Sequence, residues 1–139
     1  MCVGMAGVSA MKTKVLIIDD DAAIRQQLYW SLIDDYDVLT AEDLPSAISA
    51  SRSAPHVSLL DLHLPPTTGT PLTGLRILRH LKAQYPAAKV FVVSSDDAEA
   101  TQAACRAGGA DGFLSKPLDL EQLHMTLRLT ALAQQLEMV

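Results

Sequence analysis

The chain has 139 residues, with 11 Lys or Arg against 16 Asp or Glu and a formal net charge of −5. That length points to one domain, since two would each have a thin core, and 49% apolar residues with 19% charged exclude a disordered chain. The acidic balance weighs against nucleic acid or an anionic membrane as a partner, because both are held mainly by Lys and Arg, and here those are scattered singly from Lys12 to Arg128.

Met1 to Met11 is rich in small and apolar residues but has no positive leading region, so residues 1–13 read as a disordered extension, with Met11 as an alternative start. The folded domain is expected over 14–139. Cys2 and Cys105 lie far apart and suggest neither a disulfide framework nor CxxC chemistry, which fits a reduced cytoplasmic setting. No apolar run approaches the roughly 18 residues of a membrane span.

From Lys14 onward, short apolar runs alternate with amphipathic stretches. Val15 to Ile18 predicts a first strand apolar on both faces, as a buried parallel strand requires. Ile24, Leu28 and Leu32 recur at helical spacing. Asp37 to Ala41 predicts a second strand, and Leu44, Ala47 and Ile48 a short second helix with Pro45 in its first turn. His56 to Leu60 predicts a third strand that stops at Asp61. A Pro/Thr/Gly loop, Pro65 to Gly74, leads to a third helix carried by Leu75, Leu78 and Leu81 and closed by Tyr85-Pro86. Lys89 to Val93 predicts a fourth strand, and Ala100, Ala103, Ala104 and Ala107 a small-residue helix stripe capped by Gly108-Gly109. Gly112 to Leu114 predicts a fifth strand, and Leu120, Leu123 and Leu127 open a last helix running to about Glu137.

Five βα units without an internal repeat predict a doubly wound α/β fold with a parallel five-stranded sheet. Ligands bind such sheets at the carboxyl ends of the strands. Those ends carry Asp19, Asp20 and Asp21 after the first strand, Asp61 after the third, Ser94 and Ser95 after the fourth, and Lys116 near the fifth. Converging carboxylates repel unless a cation sits among them, and hard oxygen ligands suit Mg²⁺. A hydroxyl and an ammonium opposite them suit phosphoryl oxygens, so the pattern describes a phosphoryl-transfer site with a carboxylate nucleophile. Asp21 reads as a helix cap only. No Walker loop, Ser-His-Asp order or Gly-rich dinucleotide turn is present.

These segments, VLIIDD ending at Asp20, SLLDLHLP around Asp61, VVSS at Ser94 and GFLSKP around Lys116, resemble the receiver domains of two-component response regulators over Lys14 to about Leu136. The resemblance implies the strand order 2-1-3-4-5, and that Asp61 accepts a phosphoryl group from a phosphohistidine on a sensor histidine kinase or histidine phosphotransfer protein. Asp19 and Asp20 would hold Mg²⁺ with Asp61 and the backbone carbonyl of His63, and Ser94 and Lys116 would bind the phosphoryl oxygens. Phe113 would be the switch aromatic, Pro117 would be cis-linked to Lys116, and a face made of the fourth helix, fifth strand and fifth helix would bind a downstream protein. A phosphorylation-dependent homodimer, or membership in a longer DNA-binding or enzymatic regulator, stays open. Such a domain is a signalling switch, not an enzyme. An aspartyl-phosphate phosphatase or phosphotransferase, the competing class, normally carries a second acid two residues after the nucleophile, where this chain has His63.

His63 and Asp96, each two residues after a site residue, are expected to tune the rate of phosphoryl loss. His56, His80 and His124 read as structural or surface residues. The helix pattern starts at Gly74 although Gly69 fits the family's spacing, so residues 66–73 read as an insertion beside the site.

Overall fold

The computed structural model describes residues 12–64 and 73–137. The expected extension falls almost wholly outside them, as does most of the proposed insertion. Ten elements follow one another: β1 (Lys14–Ile18), α1 (Ala22–Leu32), β2 (Asp37–Ala41), α2 (Leu44–Ser51), β3 (Val57–Asp61), α3 (Thr73–Gln84), β4 (Lys89–Ser94), α4 (Glu99–Ala107), β5 (Gly112–Ser115) and α5 (Leu120–Glu137).

The sheet is parallel throughout and ordered β2-β1-β3-β4-β5, the order that the resemblance implied. The register pairs Ile18 with Leu60 and Asp61 with Val93, which brings the carboxyl ends of β1, β3 and β4 to one edge. β3 is buried along its whole length. Its predicted span shifts by one residue, so Asp61 is the strand's last residue and inherits that rigidity.

Alternation along the strands divides the apolar side chains into two cores. One joins Leu16, Ile18, Leu60 and Val92 to Ala47 of α2, Ile77, Leu78 and Leu81 of α3 and Cys105 of α4. The other joins Val15, Ile17, Leu59 and Leu114 to Leu28 and Leu32 of α1 and Leu123 and Leu127 of α5. The helices therefore form two layers, α2–α3–α4 and α1–α5.

Local chemistry sets the helix ends. Asp21 caps α1 by accepting from the amides of Ala23 (2.9 Å) and Ile24 (3.3 Å). Asp43 and Ser46 form a reciprocal capping box at α2. After α4, Gly108 takes ordinary helical dihedrals and Gly109 the left-handed turn at φ 106°.

The alanine stripe on α4 does not face the core. Ala100, Ala103, Ala104 and Ala107 are all exposed, and the helix buries Cys105 instead. Four methyl groups offer too little apolar area to orient a helix against a side chain the size of cysteine flanked by half-buried Thr101 and Gly108.

At the edge of the sheet away from the aspartates, Asp111 fastens three elements. Its carboxylate accepts from Lys82 Nζ of α3 (3.0 Å) and the Val90 amide of β4 (2.9 Å), and Lys89 Nζ lies 3.9 Å away. Its own amide donates to the Val90 carbonyl (2.8 Å).

Candidate functional site

β1 and β3 are neighbours, so the residues at their carboxyl ends meet. Asp19 follows β1 directly, and its amide donates to the Ala41 carbonyl of β2 (3.0 Å). One carboxylate oxygen of Asp19 accepts from the Asp21 amide (2.9 Å), and Arg25 Nη1 donates to the Asp19 carbonyl (2.7 Å). Arg25 also pairs with Glu42 at 3.6 Å, tying α1 to the end of β2. Asp19 and Asp61 are buried, at 4% and 5% exposure, whereas Asp20 faces solvent. Oxygens of the three carboxylates lie within 4.8 Å of one another.

Lys116 approaches from β5. Its Nζ is 3.4 Å from Asp61 Oδ2 and 3.5 Å from Asp19 Oδ2. Its amide donates to the Ser94 carbonyl (3.0 Å), and the Lys116–Pro117 bond that follows is cis, as the resemblance implied. Burial raises the pKa of Asp61. The nearby charge of Asp19 adds to the rise, while the His63 amide (3.1 Å) and Lys116 oppose it.

The chemistry of this donor set fits a divalent cation. Three carboxylates carry a formal −3, one ammonium opposes them with +1, and every available donor among the three is a hard oxygen. A divalent ion would balance the remainder, with Asp20 on the solvent side through which it would arrive.

Ser94, the last residue of β4, is 1% exposed, and its hydroxyl accepts from the Asp96 amide (2.9 Å). Asp96 is occupied in turn. Its carboxylate accepts from the Ala98 amide (3.1 Å) and the Thr101 hydroxyl (2.9 Å), which, with His63 nearby, hold its pKa below the usual carboxylate range. The exposed His63 side chain lines a groove of about 230 Å³ with Asp96, Leu75 and Cys105, beside the acidic cluster. Phe113, half-buried on β5, packs against the α2–α3–α4 core.

Among the other histidines, His56 Nδ1 accepts from the Lys14 amide (2.9 Å), and His124 Nε2 lies 2.9 Å from the Ser31 hydroxyl. Both are structural, as read from the sequence.

Two residues that the sequence did not single out, Arg25 and Thr101, shape this edge, together with Gly74, which the sequence marked only as a helix start. Arg25 holds the turn bearing Asp19, and Thr101 holds Asp96. Gly74 lies so close to the Leu62 backbone that an added Cβ would sit 2.8 Å from Leu62 Cα. The start of α3 at Thr73 and this close approach identify Gly74 as a glycine that seats the helix beside β3, whereas Gly69 lies outside the described residues.

Fold and site define a doubly wound α/β domain whose strand edge gathers three aspartates, a serine and a lysine. The sequence matches the family described as the response regulator receiver domain over residues 15–128. It is 31% identical over 116 residues to the probable transcriptional regulatory protein TcrX of Mycobacterium tuberculosis, covering 82% of this chain and 47% of that protein. It is 31% identical over 120 residues to response regulator MprA of a Mycobacterium species, covering 85% of this chain and 50% of that one. Similar solved structures include chemotaxis protein CheY4 of Vibrio cholerae, with a TM-score of 0.77, 28% identity and coverage of 86% of this chain and 98% of that one. The receiver domain of NtrX from Brucella abortus gives a TM-score of 0.72 at 30% identity, covering 84% and 96%.

The chain belongs to the response regulator receiver domain family, the signalling switches of two-component systems. It spans about half the length of the curated regulators TcrX and MprA. Among the described residues, no helix is long and apolar enough to cross a membrane.

Proposed function

We propose that Asp61 is the phosphoryl acceptor of a cytoplasmic receiver unit, residues 14–139, served by a histidine kinase or histidine phosphotransfer protein. The observation that carries the reading is the position of Lys116, whose ammonium stands between Asp19 and Asp61 with both buried. An Asp61 oxygen attacks phosphorus, the phosphorus–nitrogen bond of the donor breaks, and the donor imidazole leaves with the electron pair. Lys116 binds one phosphoryl oxygen, and the buried Ser94 hydroxyl is within reach of the same edge to bind another. Mg²⁺ held by Asp19, Asp20, Asp61 and the His63 carbonyl would supply positive charge to the oxygens that gain negative charge in transfer.

The acyl phosphate adds about −1.5 to −2 charge and three acceptor oxygens at the end of a strand buried throughout. Ser94 turns toward it, and Phe113 follows on the neighbouring strand, so a face including α4, β5 and α5 changes its affinity for a downstream protein. His63 and Asp96 tune how fast water removes the phosphoryl group. The chain transforms no external substrate, and its chemistry is confined to gaining and losing this group. In TcrX and MprA a receiver of this kind accounts for about half of the protein, which favours a second arrangement in which this unit controls an attached output domain.

Incubation with Mg²⁺ and acetyl phosphate, followed by intact-mass measurement, tests the reading. One added phosphoryl group, absent in Asp61→Asn, is the expected result. Absence of any gain with small donors and with a cognate kinase overturns it.

A further inference from the structure

Asp96 stands between the end of β4 and the first turn of α4. Its amide donates to the Ser94 hydroxyl (2.9 Å), which ties its backbone to the residue that closes β4. Its carboxylate is tied in the other direction. One oxygen accepts from the Ala98 amide (3.1 Å) and the other from the Thr101 hydroxyl (2.9 Å). The Ala98 bond is an ordinary aspartate turn ahead of a helix, and it meets the needs of the backbone there. The Thr101 bond joins two side chains and satisfies no backbone group. What it adds is orientation: two hydrogen bonds from different residues, each strengthened by the charge of the acceptor, fix the carboxylate against α4. The same two bonds hold the Asp96 pKa below the ordinary carboxylate range, so the group they fix is an anion at neutral pH.

Asp96 and Thr101 both line the groove of about 230 Å³ that also contains His63. Two of these residues lead directly to the acceptor edge. The His63 amide donates to Asp61 (3.1 Å), and the Asp96 amide holds the Ser94 hydroxyl. Water that removes a phosphoryl group from Asp61 attacks phosphorus opposite the Asp61 oxygen. Asp61 is buried at the end of its strand, so that attack comes from the solvent side, where the exposed His63 and the half-buried Asp96 stand. The rest of the groove is lined by Leu62, Leu75, Cys105 and alanines, which offer water little to bond. An ionised carboxylate turned into this space would act as a general base on that water. Thr101 turns it toward α4 instead.

We infer that Thr101 is a positioning residue that prolongs the life of the acyl phosphate, its hydroxyl holding the Asp96 carboxylate against α4 and away from water entering beside His63. The assignment rests on Asp61 being the phosphoryl acceptor. Without the Thr101 bond, the carboxylate rotates into the groove and takes a proton from the water as the water oxygen attacks phosphorus. The bond between phosphorus and the Asp61 oxygen breaks, its electron pair returns to the Asp61 carboxylate, and inorganic phosphate leaves.

Thr101→Val keeps the shape of the side chain and removes the hydroxyl. The full chain is loaded with acetyl phosphate and Mg²⁺, freed of donor by gel filtration, and followed by intact mass. Wild type and Thr101→Val should gain one phosphoryl group at the same initial rate, which also shows that the variant is folded. The variant should then lose the group about threefold faster or more, a small share of what a general base contributes. Thr101→Ser, which retains the hydroxyl, should restore the wild-type lifetime. Asp96→Asn combined with Thr101→Val should abolish the acceleration, because an amide cannot take the proton. An unchanged or longer lifetime in Thr101→Val, a serine that fails to restore it, or an acceleration that survives Asp96→Asn each overturns the assignment while leaving Asp61 as acceptor. A wild-type chain that gains no phosphoryl group from acetyl phosphate or from a cognate kinase overturns both.

Discussion

The ammonium of Lys116 stands 3.4 Å from a carboxylate oxygen of Asp61 that is almost wholly shielded from water. With Asp19 3.5 Å from the same nitrogen, one cation serves two buried acids. This arrangement costs stability when no metal is present, because each charge gives up hydration for half of a partner.

Removal of one of the acids therefore relieves the metal-free protein. Asp61→Asn should raise the melting temperature in chelator by a few degrees, corresponding to about 1 kcal/mol. Lys116→Met should lower it, and added Mg²⁺ should recover part of that loss. Differential scanning calorimetry with and without Mg²⁺ reads all three effects, and a destabilised Asp61→Asn would contradict the account.

Gly74 makes a second claim testable. A methyl group at this position meets the Leu62 backbone, which cannot yield as a side-chain tip would. Gly74→Ala should destabilise by about 1–3 kcal/mol despite the better helix propensity of alanine, whereas propensity alone predicts a gain of up to about 1 kcal/mol. Urea denaturation decides between the two signs.

The face of α4 offers a third. Ala103→Gln, on the exposed side, should change stability by no more than about 0.5 kcal/mol, and Cys105→Gln, in the core, should cost several times as much. Burial also pushes the Cys105 thiol above its ordinary pKa, so fewer thiolates form at a given pH. Alkylation of Cys105 should be slow in the native protein near pH 8 and become fast only in denaturant, measured by mass after proteolysis.

The acid limb of stability contains a contribution from Asp43. Its pKa is lowered by the Ser46 hydroxyl and then by the Ser46 amide. A carboxylate with a depressed folded value stabilises the native state above its unfolded value of 3.8, and this help is lost as the pH falls through the lower folded value. Asp43→Asn keeps a capping side chain but cannot ionise. Its melting temperature should therefore fall less steeply than the wild type's as the pH drops through and below 3.8, while the two converge at low pH.

What the sequence revealed depended on the size of each signal. Val15 to Ile18 is a continuous apolar run, and Val57, Leu59 and Leu60 are interrupted only by the small Ser58, so strands buried on both faces were legible, while the order of the sheet followed from the resemblance. The acidic cluster was legible because Asp19, Asp20 and Asp61 stand where those runs stop. The orientation of α4 was not, since alanine is nearly neutral about burial and the deciding contacts come from the third helix and the sheet. Gly74 was visible as a helix start, but its reason, a close backbone approach across two elements, has no local trace. Arg25 and Thr101 act through single hydrogen bonds to loops, which no periodicity encodes.

Asp111, with its two lysines and the amide of Val90, clamps α3, β4 and β5 at the margin of the sheet farthest from the acidic cluster. The opposite terminus of α3 is seated by the close approach of Gly74 to Leu62. A change in the length of the connection between Leu64 and Thr73 should then leave the strands in place. The scaffold thus separates what must stay constant, strand register, from what selection is free to vary, the rim around the acceptor, and loops exchanged between relatives at this site should leave the frame intact.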